Sequence, residues 1–238
     1  MKTLGLAMAV SALCAVNAHA SEWGYEGEHG PAHWGNVSSV CAAGVNQSPI
    51  DIKQTVSAKL APLTVHYAGT VTAFTNNGHT LQASVSGDNT LTVDGKTFTL
   101  QQFHFHTPSE NLINTHQYPM EAHFVNADAQ GNLAVLAVMF EVGEANTALN
   151  QLTATLPKPG QSQPLSTAFS VGDLLPQAAD YYRFNGSLTT PPCTEGVRWL
   201  VLKQPQVLSA QQEAVLTTYM GHNNRPIQPH HARVILSN

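Results

Sequence analysis

Gln102-Phe103-His104-Phe105-His106, followed after a loop by Glu121-Ala122-His123, is the stretch on which both the fold and the chemistry turn. Side chains alternate between the two faces of a β-strand. Gln102, His104 and His106 therefore share one face, while Phe103 and Phe105 point into a core on the other. The same period aligns Glu121, His123 and Val125 on one face of a second strand. The segment from Thr107 to Gln117 is long enough to let that strand return beside the first. Three imidazoles can then converge on one Zn2+ at about 2.0–2.1 Å, leaving the fourth tetrahedral position open to water. Gln102 and Glu121 are natural acceptors for the ligands' other ring N–H groups. A His-x-His pair alone is more often incidental than a metal site. The third histidine with its neighbouring carboxylate is what raises this pattern above that level.

Working outward, short alternating or apolar runs separated by turn residues dominate the chain. Leu63–Tyr67, Val71–Thr75, Thr80–Val85, Thr90–Val93, Thr97–Thr107, Tyr118–Asn126, Leu133–Val142 and Val197–Leu202 all read as strands. Asp94-Gly95 and the segment from Asp128 to Gly131 read as hairpin turns. Helices are few. Asn146–Thr155 has an apolar stripe at Ala148, Leu149 and Leu152. Ser209–Met220 opens on a Ser209/Gln212 capping box and stops at Gly221. The pattern predicts a mainly β fold: one large, mixed, mostly antiparallel sheet with a few short surface helices.

The first twenty residues are expected to lie outside that fold. Lys2 and the apolar Leu4 to Val16 precede Ala18-His19-Ala20, which is the form of a signal peptide cleaved before Ser21. Residues 21–238 then form one catalytic domain with nine Lys+Arg against fifteen Asp+Glu, a formal charge of −6 (the whole chain has ten and fifteen, and Lys2 leaves). No basic run appears, which argues against nucleic acid and anionic membrane as partners. Export implies a periplasmic or secreted protein. Cys14 leaves with the signal, so Cys41 and Cys193 remain. In an oxidising compartment two cysteines read as one disulfide, the alternative being two separate buried thiols. A bridge closing so long a loop is worth roughly 4–5 kcal/mol in the chain-entropy model.

Gln102-Phe-His-Phe-His106, Pro108-Ser-Glu110, Glu121-Ala-His123, Ser187-Leu-Thr-Thr-Pro-Pro192 and Asn223-Asn-Arg-Pro226 together resemble the alpha class of carbonic anhydrases. Trp23-Gly-Tyr25, Gln47-Ser-Pro-Ile50 and Asn76-Asn-Gly-His79 add to the resemblance, which runs in the family's order from about Trp23 to Arg233. It implies a twisted central sheet with zinc at the bottom of a cone. It implies reversible hydration of carbon dioxide to bicarbonate, with zinc-bound hydroxide as nucleophile and His104, His106 and His123 as ligands. The Asn223 carbonyl would hold the second ligand. Thr189 would orient the hydroxide and donate its own proton to Glu110, an acceptor-only group when ionised. Val125, Val135, Leu188 and Trp199, with Thr190 beside them, would form the pocket for CO2. His79 would be the proton shuttle, since an unperturbed histidine titrates near 6.5. Tyr25, Asn77 and Gln82 would support the water chain between them. The resemblance also implies binding of sulfonamides and anions, a homodimer, a Cys41–Cys193 pair, and cis peptide bonds before Pro49 and Pro192.

Two positions depart from the family pattern. Asn111 stands where a His is usual, and Phe184 where a Tyr is usual. Losing both together leaves neither without its partner, yet Glu121 is expected to have fewer partners, with altered stability or metal affinity. Two other readings stay open: a non-catalytic binding relative, and a zinc hydrolase acting on esters or amides.

Overall fold

The computed structural model describes residues 23–178 and 180–238; the signal-peptide span 1–20 lies outside them. Sixteen strands are formed among the described residues. Nine come before the second half of the metal motif: β1 Asp51–Ile52, β2 Val56–Ser57, β3 Thr64–Tyr67, β4 Thr70–Asn76, β5 Leu81–Ser86, β6 Asn89–Val93, β7 Lys96–His106, β8 Leu112–Ile113 and β9 His116–Gln117. The other seven are β10 Met120–Ala127, β11 Leu133–Val142, β12 Ser162–Ser170, β13 Tyr181–Ser187, β14 Glu195–Leu202, β15 Gln206–Leu208 and β16 Leu236–Ser237. Thirteen make one sheet whose spine runs β12-β4-β5-β7-β10-β11-β14-β13-β16-β2. Its pairs are antiparallel except β11 with β14 and β15, and β16 with β2. β1, β8 and β9 form a separate three-stranded sheet. The helices are short: α1 Val40–Ala43, α2 Thr147–Thr153 and α3 Ala210–Met220. No helix among the described residues is long and apolar enough to cross a membrane.

Local chemistry explains most of these boundaries. Asp94 and Gly95 both take positive φ (53° and 70°) between the paired Val93 and Lys96, the two-residue turn that suits strand twist. The Asn146 side chain accepts from the Ala148 and Leu149 N–H groups and so starts α2. α3 carries the full Ser209/Gln212 capping box and ends at Gly221 with φ 68°. The alternation in β7 slips at Gln101-Gln102, and there the pairing slips too: Val125 faces Gln102 while Asn126 faces Leu100. This bulge keeps Phe98 and Leu100 on the same buried face as Phe103 and Phe105.

The sheet separates two cores. One gathers Phe74, Phe103, Phe105, Phe124, Leu136, Phe140 and Leu200, with Leu149 and Leu152 of α2 and Leu216 of α3. The other, on the histidine face, holds Val135, Ala137, Met139, Trp199 and Val201 with Ile50 and Ile52. β11 is buried on both faces through most of its length, which is why it reads as an unbroken apolar run.

β12 and β13 lie outside the strands expected from the sequence. β12 is an exposed edge interrupted by Pro164, and its pairing with β4 is irregular between Pro164 and Phe169. β13 carries Arg183, Asn185 and Gly186, and owes its extension to β14 and β16 on either side.

Cys41 and Cys193 are joined, with Cα atoms 5.1 Å apart and a sequence separation of 152. The peptide bonds before Pro49 and Pro192 are cis, as is Thr107–Pro108. Replacing Cys41 by serine is expected to lower unfolding stability by up to about 5 kcal/mol, because the denatured chain regains the closure entropy of that loop. Denaturant titration of the oxidised parent against the variant measures the loss, and equal midpoints would refute it.

Candidate metal centre

β7 and β10 pair so that His104 lies opposite His123 and His106 opposite Glu121. Directly opposed residues of antiparallel strands share a face, so register turns two local alternations into one cluster. The ring centroids of His104, His106 and His123 are 4.6–5.4 Å apart. One ligand-capable atom from each lies within 4.8 Å of the others.

Each ring is held through one nitrogen. His104 Nδ1 is 2.8 Å from Gln102 Oε1, and His106 Nδ1 is 2.7 Å from the Asn223 carbonyl. His123 Nε2 is 3.0 Å from Glu121 Oε1, although the two are not aligned as a full hydrogen bond. The nitrogens left over are Nε2, Nε2 and Nδ1. That of His106 is buried without a partner, an expensive state for a polar atom unless something binds there. Burial holds all three imidazoles below the usual histidine range. The positive forms of neighbouring imidazoles reinforce this for His104 and His123. Neutral imidazole is the form that binds a divalent ion.

Two carboxylates lie fully buried against the cluster. Glu110 Oε1 accepts the Arg225 N–H at 2.8 Å. Its Oε2 makes no aligned hydrogen bond and stands 3.5 Å from His106 Nε2 and 3.9 Å from His123 Nδ1. Burial pushes the Glu110 carboxyl well above the usual range, opposed by the Arg225 N–H and the Thr189 hydroxyl. Burial also raises Glu121, opposed by hydrogen bonds from Asn111 and Glu110. Three neutral donors, an orphaned nitrogen and two buried acids form a site that fits a divalent cation, whose charge offsets the desolvation of both carboxylates.

The apolar wall is a row across the sheet. Gln102 faces Val125, Val125 faces Val135, Val135 faces Trp199 and Trp199 faces Phe184. The Trp199 ring is 4.8 Å from that of His123, and Leu188 packs into the same cluster. Tyr25, Asn77, His79, Gln82 and Thr190 line a cavity of about 120 Å3 with Gln102, His104 and His106. His79 stacks on Trp23 at 3.8 Å between ring centroids. The Asn77 side chain accepts from the His79 and Thr80 N–H groups, so it shapes the turn that carries His79. Tyr25 is kept protonated by burial and by the Glu110 charge.

The expected deficit around Glu121 does not occur. Its Oε2 accepts the backbone N–H of Glu110 and of Asn111, and its Oε1 accepts the Asn111 amide, all at 2.8 Å. Asn111 fills the donor role left open by the missing histidine. Phe184 stacks parallel to Trp199 instead of hydrogen-bonding.

Arg225 is a participant to which the motifs assign no role. Buried, it donates to Gln47 Oε1 and to the Ser48 and Cys41 carbonyls, and its guanidinium lies 5.6 Å over the Trp34 ring. Its backbone N–H also fixes Glu110. One signal was present: an arginine inside the Asn223-Asn-Arg-Pro226 motif of a chain poor in cations.

A family model described as eukaryotic-type carbonic anhydrase matches residues 29–238. A carbonic anhydrase of Pectobacterium carotovorum is 47% identical over 98% of each chain. Among solved structures, the Photobacterium profundum alpha-carbonic anhydrase aligns with a TM-score of 0.89 and 58% identity, covering 90% of this chain and 100% of its own. The Thermovibrio ammonificans enzyme, in complex with the inhibitor sulfanilamide, aligns at 0.88 with 47% identity, covering 90% and 98%. With nearly the whole described chain matched in sequence and in fold, the protein belongs to the alpha-carbonic anhydrase family.

Proposed function

We propose that this enzyme interconverts carbon dioxide and bicarbonate at a zinc ion held by His104, His106 and His123. The observation that carries the reading is the division of labour in the three rings. One nitrogen of each faces an acceptor, and one ligand-capable atom from each ring lies within 4.8 Å of the others. When bound, zinc lowers the pKa of water to about 7 and so supplies hydroxide near neutrality, for which carbonic anhydrase is itself the reference case.

The chain's own residues do the rest. Glu110, fixed by the Arg225 N–H, accepts from the Thr189 hydroxyl and leaves the Thr189 lone pairs facing the nucleophile. An O–H that donates to Thr189 then has its own lone pair aimed at the substrate carbon. Val125, Val135, Leu188 and Trp199 supply the apolar surface a small neutral molecule needs. His104 and His106 line a cavity of about 120 Å3. His79, at the lining of that cavity, relays the released proton to buffer. The Cys41–Cys193 bridge supports an oxidising compartment, the periplasm or the exterior.

Stopped-flow CO2 hydration, before and after chelation and again after adding zinc, tests the reading. Catalysis lost to chelator and restored by zinc is expected, with inhibition by sulfanilamide at millimolar levels or below. A zinc-loaded protein inert toward CO2 would overturn it and return the non-catalytic alternative.

A further inference from the structure

We infer that Asn111 is a positioning residue for the metal centre: its amide locks the Glu121 carboxylate against His123. The inference rests on the proposed zinc site and extends it to a side chain that touches no metal ligand.

Asn111 is fully buried, and both ends of its amide are committed. Oδ1 accepts the Ile50 N–H at 3.1 Å, and Nδ2 donates to Glu121 Oε1 at 2.8 Å. The Ile50 N–H is a donor only, and an ionised Glu121 is an acceptor only. The amide therefore fits in a single orientation, since turning it over would set two donors and two acceptors face to face. Further contacts immobilise the residue. Its N–H donates to Glu121 Oε2, and its carbonyl accepts from Ser109 Oγ at 2.9 Å. Next to it, Leu112 pairs with Asp51, which anchors the segment in the small sheet.

The oxygen that Asn111 grips is the one 3.0 Å from His123 Nε2. The line from Ile50 through Asn111 and Glu121 to His123 therefore sets the rotation of that imidazole and which of its nitrogens is left for the metal. Such outer hydrogen bonds are worth roughly 10–100-fold in metal affinity. Phe184 cannot share the task, because its ring lies flat against Trp199 and carries no polar atom.

The test uses the full chain and measures zinc dissociation constants by chelator competition, with thermal melts of each metal-free protein alongside. Asn111→Asp keeps the shape but opposes a carboxylate to Glu121, and Asn111→Leu removes the donor without adding charge. Both are expected to weaken zinc binding about 10–100-fold, beyond any change in the metal-free melt. Asn111→His, which restores an N–H toward Glu121, is expected to bind more tightly than either. Cobalt(II) substituted into the leucine variant is expected to show a shifted visible absorption band, reporting an altered His123 donor. Should Asn111→Asp fail to fold, the leucine and histidine variants decide. Zinc constants within about threefold of the parent, with an unchanged cobalt spectrum, overturn the role of Asn111 while leaving the zinc site intact. A parent that binds no zinc overturns the site and this inference together.

Discussion

Replacing His123 by alanine is expected to cost the protein its bound metal and to cut CO2 hydration at least about 1,000-fold, because ionised water near neutrality is the metal's contribution. His123 sits opposite His104 in the β7–β10 pair and is 2% exposed, so no solvent-borne ligand replaces it readily. The variant keeps Glu110 and Glu121 buried while weakening the cation that offsets them. The folded state is therefore also expected to lose stability, in line with the cost of an unpaired buried charge. Metal content after dialysis and the hydration rate are the two measurements. A full complement of tightly held zinc in the variant would contradict the ligand assignment.

The second large effect is expected at His79. His79→Ala should slow turnover in dilute buffer by about 100-fold, the lower end of what a positioned proton-transfer group contributes. Added imidazole should recover much of the loss. The change leaves His104, His106, His123 and the apolar residues Val125, Val135, Leu188 and Trp199 in place, so KM should move far less than kcat. His79 lies in the same cavity as His104 and His106, on a turn shaped by the Asn77 side chain and against the Trp23 ring. An unchanged rate in dilute buffer would remove the shuttle role and leave His79 as a packing residue.

Much of the site is legible because strand alternation is local. Gln102, His104 and His106 must share a face whatever the rest of the chain does, and Phe103 and Phe105 must take the other. The same holds for Glu121, His123 and Val125. Asn146, Ser209 and Gly221 are legible for a related reason: a cap acts on backbone groups within a turn of itself. β12 and β13 were not legible, because an exposed edge and a strand with Arg183, Asn185 and Gly186 take their extension from neighbours. The bulge at Gln101-Gln102 lies between. The slip in alternation is visible in the residues, but its meaning appears only against Val125 and Asn126.

Asn111 marks the boundary most clearly. As a residue type it departs from the family pattern and suggests a weakened centre. In space it meets the Ile50 N–H on one side and Glu121 on the other, and both Glu121 oxygens are hydrogen-bonded. Arg225 likewise gains its role only when residues 41 to 48 fold back over it.

The sequence by itself therefore determined which side chains share a strand face, where turns and caps fall, and which chemistry three histidines and a neighbouring Glu permit. Tertiary structure alone decided that His104 meets His123, that Val135 meets Trp199 across a parallel pair, and who holds Glu121. The physical reason is range. Alternation and capping are set by the covalent geometry of a few residues, whereas register and buried hydrogen-bond partners follow from the packing of segments remote in the chain.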